Sequence, residues 1–497
     1  MKKKKKKKRM KISLEEEPAS PSARLMQAPG FNLYILAIMG FTKTIDANAF
    51  KKGLEQTLLK HPRFSSVLVV KDKKHNMSWK KTKVDIDNHV FYPELDSKIE
   101  SSDEFIEDYT SCLSTSSMDM TKPLWEVHLL DVQTSDANSI AIFKFHHSIG
   151  DGVSLISILM ACSKKTSDPQ SLPSIPIKKQ EILRDGVSLG KSMKKIFFSI
   201  WLNIIIIFNT LIDIALFIVT IIFMKDTNTS IRGPQGVELS PKRFVHRVVS
   251  LDDIKLVKTA MNVSINDVVL GVTQAGISHY LNNRYIEELK EKGVGIVKNI
   301  NYLPKRNYLR AALVFNLRPT ATIQDLAEMM ETESKGMWGN LFGIGLLPFT
   351  IKLHNDPLTY IREAKAAMDR KKRSLEPKCV FVVMKLLINL FGIKFTAAIT
   401  RSVFYNTTLT FSNVVGPKEE ITLFGHPMCY LAPSAYGTPH ALTIHCQSYA
   451  NKLIFILAVD ENVIPNPHQL CDDLENSLKN IKNIVMEKRL ADQSQFC

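Results

Sequence analysis

The sequence lacks the features of an extracellular or metal-stabilised fold. Its seven cysteines are odd in number, lie far apart and never form a C-x-x-C pair, which argues against a disulfide framework and against a zinc site. No apolar segment follows the N-terminal lysines before Glu15, so the pattern of a signal peptide is missing. We therefore expect a chain that starts in the cytosol with reduced thiols.

The composition excludes several other classes of protein. The 497 residues are 45% hydrophobic and 23% charged, which is close to the average for soluble globular proteins. Wholesale disorder, a collagen-like fibre and a many-pass transporter are therefore not expected. No short repeat of fixed period is present, and the length is sufficient for two large domains or three smaller ones.

Positive charge is concentrated at the N-terminus. Lys and Arg total 65 against 49 Asp and Glu, but the run from Lys2 to Arg9 contributes eight of these positive charges. A block of like charge repels itself, which predicts a disordered basic tail over residues 1–17; its alternative role is attraction to anionic lipid headgroups. Nucleic acid is not an expected partner, because no aromatic residues interleave with the run and no finger or recognition-helix signature follows it.

Two α/β segments flank a single long apolar run. Strand and helix patterns alternate over residues 18–164 and again over 240–490. The intervening residues 165–239 begin with a linker rich in Pro, Ser and Lys and contain the run 196–224, whose only formal charge is Asp213. As one helix, this run is long enough to cross a bilayer core of roughly 30 Å once. It is interpreted as a spanning helix, an interfacial or re-entrant helix, or a buried soluble helix.

The hydrophobic periodicity predicts the main elements of both segments. The predicted strands are Phe31 to Phe41, Ser65 to Val70, Leu124 to Val132, Val245 to Leu251, Leu442 to Cys446 and Leu453 to Val459. The predicted helices are Ala47 to Lys60, Asp103 to Leu113, Ile265 to Tyr280, Leu358 to Lys372 and Pro467 to Val485.

The most informative segment begins as a strand at Ser139 and ends with His146-His-Ser-Ile-Gly-Asp-Gly152. Side chains alternate along a strand, so His147 shares a face with Phe143 and Phe145, while His146 faces the other way. Two such histidines cannot easily ligate one metal, and no H-E-x-x-H motif is present, so no metal site is expected. A single buried imidazole suits a general base, because burial lowers its pKa and keeps it neutral. The alternative is a core histidine with structural bonds only.

Asp151 and Gly152 predict a sharp turn into the apolar helix Val153 to Cys162. We expect Asp151 to cap this helix or to pair with a buried cation. Gly152 permits a backbone conformation or a close approach that a Cβ atom would block. The combined pattern H-H-x-x-x-D-G is much more specific than either part.

This pattern resembles the active-site motif of the CoA-dependent acyltransferase superfamily, which includes chloramphenicol acetyltransferase, plant BAHD-type enzymes, peptide-synthetase condensation domains and wax ester synthases. The BAHD signature D-F-G-W-G is missing. Other segments are similar, in order and spacing, to those of the bifunctional wax ester synthase/acyl-CoA:diacylglycerol O-acyltransferases. These segments are Ser22-Ala-Arg-Leu-Met26, Pro123-Leu-Trp-Glu126, His61-Pro-Arg-Phe-Ser-Ser66, Asn266-Asp-Val-Val269, Asn316-Leu-Arg-Pro319, Gly339-Asn-Leu-Phe-Gly343 and Ser412-Asn-Val-Val-Gly-Pro417. The segments that start at Ser22 and His61 resemble the plant branch in particular.

The resemblance implies an α/β fold with two chloramphenicol-acetyltransferase-like halves, a tunnel between them and one long hydrophobic helix. It implies that acyl-CoA is a substrate and that no cofactor is needed. His147 would then take the hydroxyl proton of a long-chain fatty alcohol or of diacylglycerol. The resulting alkoxide would attack the thioester and expel CoA without an acyl-enzyme.

The supporting residues follow from the same resemblance. Asn266 is the candidate donor to the oxyanion, and a simple helix N-cap is an equally good interpretation of it. We expect Asp151 to pair with Arg318 and thereby to hold the strand end and its histidine in register. Ser412 and Asn413 are expected to line the tunnel.

Membrane lipid is an expected partner, with the endoplasmic reticulum membrane as the expected location, both catalytic halves in the cytosol and the plasma membrane as the alternative. A spanning segment would separate two halves that one tunnel requires together, so we favour residues 196–224 lying in the cytosolic leaflet. Two other functions are compatible with the motif: a catalytically silent lipid-binding or membrane-tethering protein, and a condensation-type peptide-forming enzyme.

Overall fold

A computed structural model of the chain describes residues 16–71, 76–94, 100–175, 189–295, 301–304, 307–318 and 338–494. In chain order its strands are β1 Glu16–Pro18, β2 Gln27–Ala28, β3 Phe31–Asn32, β4 Tyr34–Phe41, β5 Ser66–Val70, β6 Met77–Lys81, β7 Val90–Phe91, β8 Trp125–Leu130, β9 Ser139–His146, β10 Ser163–Lys165, β11 Arg243–Ser250, β12 Leu309–Asn316, β13 Phe342–Phe349, β14 Leu409–Val414, β15 Ile421–Leu423, β16 His426–Tyr436, β17 Leu442–Tyr449 and β18 Lys452–Val459. Its helices are α1 Pro21–Leu25, α2 Ala47–Gln56, α3 Ser102–Thr115, α4 Gly152–Cys162, α5 Leu189–Ile222, α6 Leu251–Met261, α7 Ile265–Glu291, α8 Leu358–Lys372, α9 Glu376–Phe391, α10 Ile393–Tyr405 and α11 Pro467–Ser494.

The first large sheet has seven strands in the order β10-β15-β16-β4-β9-β8-β7. Its centre is covered on both faces, because every residue of β4 and β9 is buried. Strands β15 and β16 come from the second half of the sequence, and β16 pairs with β4 from Tyr34 opposite Tyr436 onward. The boundary expected near residue 240 therefore does not separate two self-contained sheets.

The second large sheet has six strands in the order β11-β18-β17-β14-β12-β13. Helices α6, α7, α8 and α11 contribute buried apolar residues to the same core as these strands. Helix α7 is buried along most of its first half, where Val268, Val269 and Val272 have almost no exposed surface. The α/β character predicted from the sequence is confirmed.

Most predicted elements are present, with different ends. Helix α8 has the predicted bounds, while α7 and α11 continue past the predicted ends at Tyr280 and Val485. The predicted strand Phe31 to Phe41 is broken at Leu33 into β3 and β4. At the break the Leu33 carbonyl accepts a hydrogen bond from the His147 backbone N–H at 2.8 Å, whereas β3 pairs with β2 in a separate sheet.

The predicted disordered tail, residues 1–17, is wrong at its last two residues. Glu16 and Glu17 lie in β1, which pairs antiparallel with β6. Glu17 also accepts a bond from the Arg63 guanidinium at 2.6 Å. Backbone pairing and an ion pair therefore order these two acidic residues, whereas residues 1–15, including the lysine run, lie outside the described range.

Helix α5 contains a stretch, Ile196–Ile222, that is long and apolar enough to cross a membrane by length and composition. Its second half is attached to the rest of the protein by polar bonds. Asn209 donates to the Arg373 carbonyl at 3.2 Å, and the carboxylate of Asp213, which is only 2% exposed, pairs with Arg370 at 2.7 Å. Asn209 and Asp213, which would be costly in hydrocarbon, therefore contact protein, as their cost predicts.

Candidate active site

His147 follows directly after β9, at the edge of the cavity between the two large sheets. Its Nδ1 lies 3.1 Å from the Asn340 side-chain oxygen, and the Asn340 amide nitrogen donates to the His147 carbonyl at 2.9 Å. This second bond fixes which end of the Asn340 amide is the oxygen, so Nδ1 must carry the proton and donate it. The lone pair of His147 is therefore on Nε2.

The His147 ring is 9% exposed and lines the cavity together with Phe143 and Phe145, the face predicted from strand alternation. Burial lowers the pKa of His147 from its ordinary value, and this effect outweighs the opposite effects of the nearby Asp151 charge and the Asn340 bond. The neutral imidazole is thus favoured near pH 7. A neutral ring with its lone pair on Nε2 can accept a proton from a group bound in the cavity.

His146 faces the other way and has a structural role. Its Nδ1 accepts from the Ser148 backbone N–H at 3.1 Å, and its Nε2 donates to the Asn32 side-chain oxygen at 2.8 Å. Burial is the main reason that its pKa falls to about 3, with the neighbouring His147 as a smaller cause. Both ring nitrogens have protein partners, so His146 ties β9 to the segment before β4.

Asp151 is both the helix cap and the ion-pair partner that the sequence predicts as alternatives. Its carboxylate accepts from the Ser154 N–H at 3.0 Å, which caps α4, and from the Arg318 guanidinium at 2.8 Å. It also accepts from the Leu341 N–H at 2.9 Å. Arg318 in turn donates to the Gly339 carbonyl at 2.6 Å. Asp151 and Arg318 together hold the loop that carries Asn340 against the start of α4.

The structure requires neither the special backbone conformation nor the close approach predicted for Gly152. A Cβ atom built there would meet only a Val414 methyl carbon, at 3.6 Å, which is ordinary contact. The backbone at Gly152 is helical, so no left-handed conformation is required. Because Gly152 lines the cavity, the consequence of its missing side chain is free volume beside His147.

The cavity has a volume of about 340 Å³. Its wall is mainly apolar and includes residues of α1, α2, α4, α9 and α10 as well as strands of both large sheets. The helical residues include Leu54 and Leu159 from α2 and α4, and Val380, Phe381, Met384 and Phe404 from α9 and α10. His147 lines the same apolar cavity.

Ser412 and Asn413 line this cavity from β14, whereas Asn266 does not. Asn266 is exposed, and its side-chain oxygen accepts from the Asn413 amide at 2.7 Å. The helix-cap interpretation of Asn266 is wrong, because Ser264 caps α7 in a reciprocal arrangement with Asp267. The oxyanion role of Asn266 stays a prediction, and its contact with the cavity passes through Asn413.

Two residues of the site were not singled out from the sequence. Asn340 lies within the quoted G-N-L-F-G segment, but nothing in that segment identifies it as the partner of His147. His445 lines the cavity from β17, lies opposite Ser412 in the strand register and pairs with the Ser434 hydroxyl at 3.1 Å. Burial, and to a smaller extent His147, lowers the pKa of His445 to about 4. Only the pairing of β14 with β17 brings it to the site.

Among the described residues, no group of three or more His, Cys, Asp or Glu side chains could hold a metal ion. The site thus consists of a neutral imidazole, an orienting amide, a buried ion pair and an apolar cavity. This set can activate a hydroxyl group in a lipid-like substrate.

Solved structures with this fold define the class. The chain matches a wax ester synthase/diacylglycerol acyltransferase from Marinobacter aquaeolei VT8 with a TM-score of 0.58 at 17% identity, covering 94% of this chain and 99% of that one. It matches the first condensation domain of the CDA synthetase with a TM-score of 0.52 at 10% identity, covering 93% of each chain. The chain therefore has the α/β fold that this acyltransferase and this condensation domain share.

Sequence comparisons identify the family within this class. The model for the wax ester synthase/diacylglycerol acyltransferase catalytic domain matches residues 23–269, and the model for the WS/DGAT C-terminal domain matches residues 338–482. In Arabidopsis thaliana, wax ester synthase/diacylglycerol acyltransferase 11 is 48% identical over 96% of this chain and 97% of its own length. Wax ester synthase/diacylglycerol acyltransferase 4 is 47% identical over 95% and 91%. The chain belongs to the wax ester synthase/diacylglycerol acyltransferase family.

Proposed function

We propose that this protein transfers a fatty acyl group from acyl-CoA to a long-chain fatty alcohol, and also to diacylglycerol. The observation that carries this proposal is the neutral His147, with its lone pair on Nε2, in the wall of an apolar cavity of about 340 Å³ to which both large sheets contribute residues. Long alkyl chains gain free energy from such a wall at roughly 25 cal/mol per Å² buried. A peptide-forming reaction would have little use for it.

The chemistry follows from the tautomer. Nε2 of His147 removes the hydroxyl proton as the oxygen forms a bond to the thioester carbon, which gives a tetrahedral oxyanion. When this oxyanion collapses, the C–S bond breaks, and the imidazolium returns its proton to the departing thiolate of CoA. The Asn413 amide, held by Asn266, and the Ser412 hydroxyl are the proposed neighbours of the oxyanion, and no cofactor takes part.

We further propose that helix α5 lies in the cytosolic leaflet of the endoplasmic reticulum membrane. The support is its polar attachment through Thr210, Asp213 and Thr220, which face protein while much of the apolar surface faces outward. The two halves also share one sheet through β15 and β16, which supports the placement of both on one side of the membrane.

The direct test is an assay of the purified chain with acyl-CoAs of several lengths against a long-chain alcohol and against diacylglycerol. We expect ester formation and release of free CoA in equal amounts with both acceptors. A chain that binds acyl-CoA but releases no CoA with either acceptor would contradict the proposal.

The pH dependence gives a second test. Burial lowers the pKa of His147, and only the neutral ring is a base, so kcat/KM is expected to stay constant down to below pH 6.5, the ordinary pKa of histidine, and to fall at lower pH. In Asn340→Asp a carboxylate beside Nδ1 favours the imidazolium, so the fall should begin at higher pH. Asn88→Asp, at an exposed amide, is the matched control. An unchanged profile in Asn340→Asp would mean that Asn340 does not orient the base.

A further inference from the structure

Helix α9 is apolar on two opposite faces. Its inner face contributes Val380, Phe381 and Met384 to the cavity. Its outer face carries Val382, Leu386 and Leu390, four residues apart, with 53%, 53% and 73% of their surfaces exposed. A helix that is hydrophobic all round is normally buried in protein or in lipid. The outer face of α9 is thus exposed, although a helix of this sequence is normally covered by protein or lipid on that face.

This face is continuous with the apolar surface of α5. The backbone N–H of Leu375, just before α9, donates to the Thr210 hydroxyl of α5 at 2.8 Å. At the far end of α10, the Ser402 hydroxyl donates to the Ile221 carbonyl at 2.6 Å. We call the exposed apolar side chains of α5, α9 and α10 the α5–α9 face; its largest members include Phe197, Phe208, Leu211, Leu386, Leu390, Phe391 and Phe395.

Apart from the buried Glu376, the charged residues of α9 and α10 are all basic. Residues 377–405 contain no Asp or Glu, while Lys378, Lys385 and Lys394 are exposed. The only acid of α5 within its apolar stretch, Asp213, is buried and paired. Basic residues flanking an apolar surface complement anionic lipid headgroups. A second copy of the chain fits less well, because a two-fold contact would bring the same lysines together.

We propose that the α5–α9 face binds an anionic bilayer and that the acceptor lipid passes from the bilayer into the cavity beside α9. This inference rests on the proposed function and adds the route of one substrate. Phe381 and Met384 line the cavity one helix width away from the exposed Leu386 and Leu390. Diacylglycerol or a long-chain alcohol thus reaches His147 without crossing water.

The test compares full-length Leu386→Glu/Leu390→Glu with Leu490→Glu, a matched change at a 64% exposed leucine on α11, which packs against α6 and α7. Flotation uses vesicles of phosphatidylcholine with or without phosphatidylserine, and turnover uses diacylglycerol in those vesicles or hexanol in solution. The double variant is expected to lose about tenfold or more in vesicle binding and in diacylglycerol turnover, with hexanol turnover and thermal midpoint unchanged. Leu490→Glu should match wild type in every measurement.

A separate variant tests the charge argument. In Lys378→Gln/Lys385→Gln/Lys394→Gln, the preference for vesicles with phosphatidylserine should fall about tenfold or more, since each basic residue near an anionic surface contributes about 1 kcal/mol. Raising the salt concentration should reduce the wild-type preference in the same direction.

Four results separate the possible failures. If wild type esterifies neither acceptor, the proposed function fails, whatever the vesicle result. If wild type is active and the double glutamate variant floats and turns over vesicle diacylglycerol equally well, the inference is overturned. Loss of hexanol turnover at an unchanged thermal midpoint would also overturn it. A wild-type dimer in sedimentation that the double variant makes monomeric, with vesicle binding unchanged, would assign the face to a second copy instead.

Discussion

His147→Ala is expected to lower kcat for ester formation by about 100- to 10,000-fold, the usual contribution of a general base. The substitution removes the neutral imidazole that Asn340 orients in the wall of the cavity, and with it the proposed base. The cavity wall remains, so binding of acyl-CoA should change little. The measurement is free CoA released per unit time under saturating acyl-CoA and alcohol.

The control for this experiment is His468→Ala, the same change at a histidine whose side chain is 56% exposed. It should keep wild-type turnover. Circular dichroism and the thermal midpoint of both variants establish that each is folded. A folded His147→Ala protein with near wild-type turnover would reject the proposed mechanism.

Arg318→Met is expected to lower the free energy of unfolding by about 3–5 kcal/mol, because it leaves the Asp151 carboxylate buried and without its cation. The Arg318 side chain has no exposed surface, and that of Asp151 is 7% exposed, so water cannot replace the lost partner. The same change should lower kcat, since Asp151 and Arg318 hold the loop with Asn340. Denaturant titration and the turnover assay measure the two effects.

The matched control is Arg362→Met, whose guanidinium pairs with Asp356 at 3.0 Å but is 56% exposed. Its loss should cost less than about 1 kcal/mol. The double variant Asp151→Asn/Arg318→Met removes the isolated charge and should recover part of the stability lost in Arg318→Met. If Arg318→Met were no more destabilising than Arg362→Met, the ion pair would have no structural importance.

The sequence predicts the part of the site that is local. Strand alternation places His147 on the cavity side and His146 on the other, and the turn at Asp151 leads into the helix as expected. These predictions succeed because period and capping are set by residues that are near one another in the chain. The bounds of α8 are predicted for the same reason.

What the sequence does not predict depends on contacts between distant segments. Asn340 reaches His147 across 193 positions, and His445 reaches the cavity only because β17 pairs with β14. The assignment of β15 and β16 to the first sheet has the same origin. Hydrophobic periodicity indicates that a strand is buried, but it does not indicate which strand pairs with it.

The exchange of β16 into the first sheet sets an order of events during synthesis. Strand β4, which ends at Phe41, can pair with its second neighbour, β16, only when Tyr436 of the 497-residue chain has been made. Until then β9 covers one edge of β4 and the other edge offers unpaired backbone groups, a template for association with other nascent chains. A ribosome that stalls before this point releases a product with an open apolar sheet, so chaperone demand should concentrate on prematurely terminated chains rather than on the completed protein.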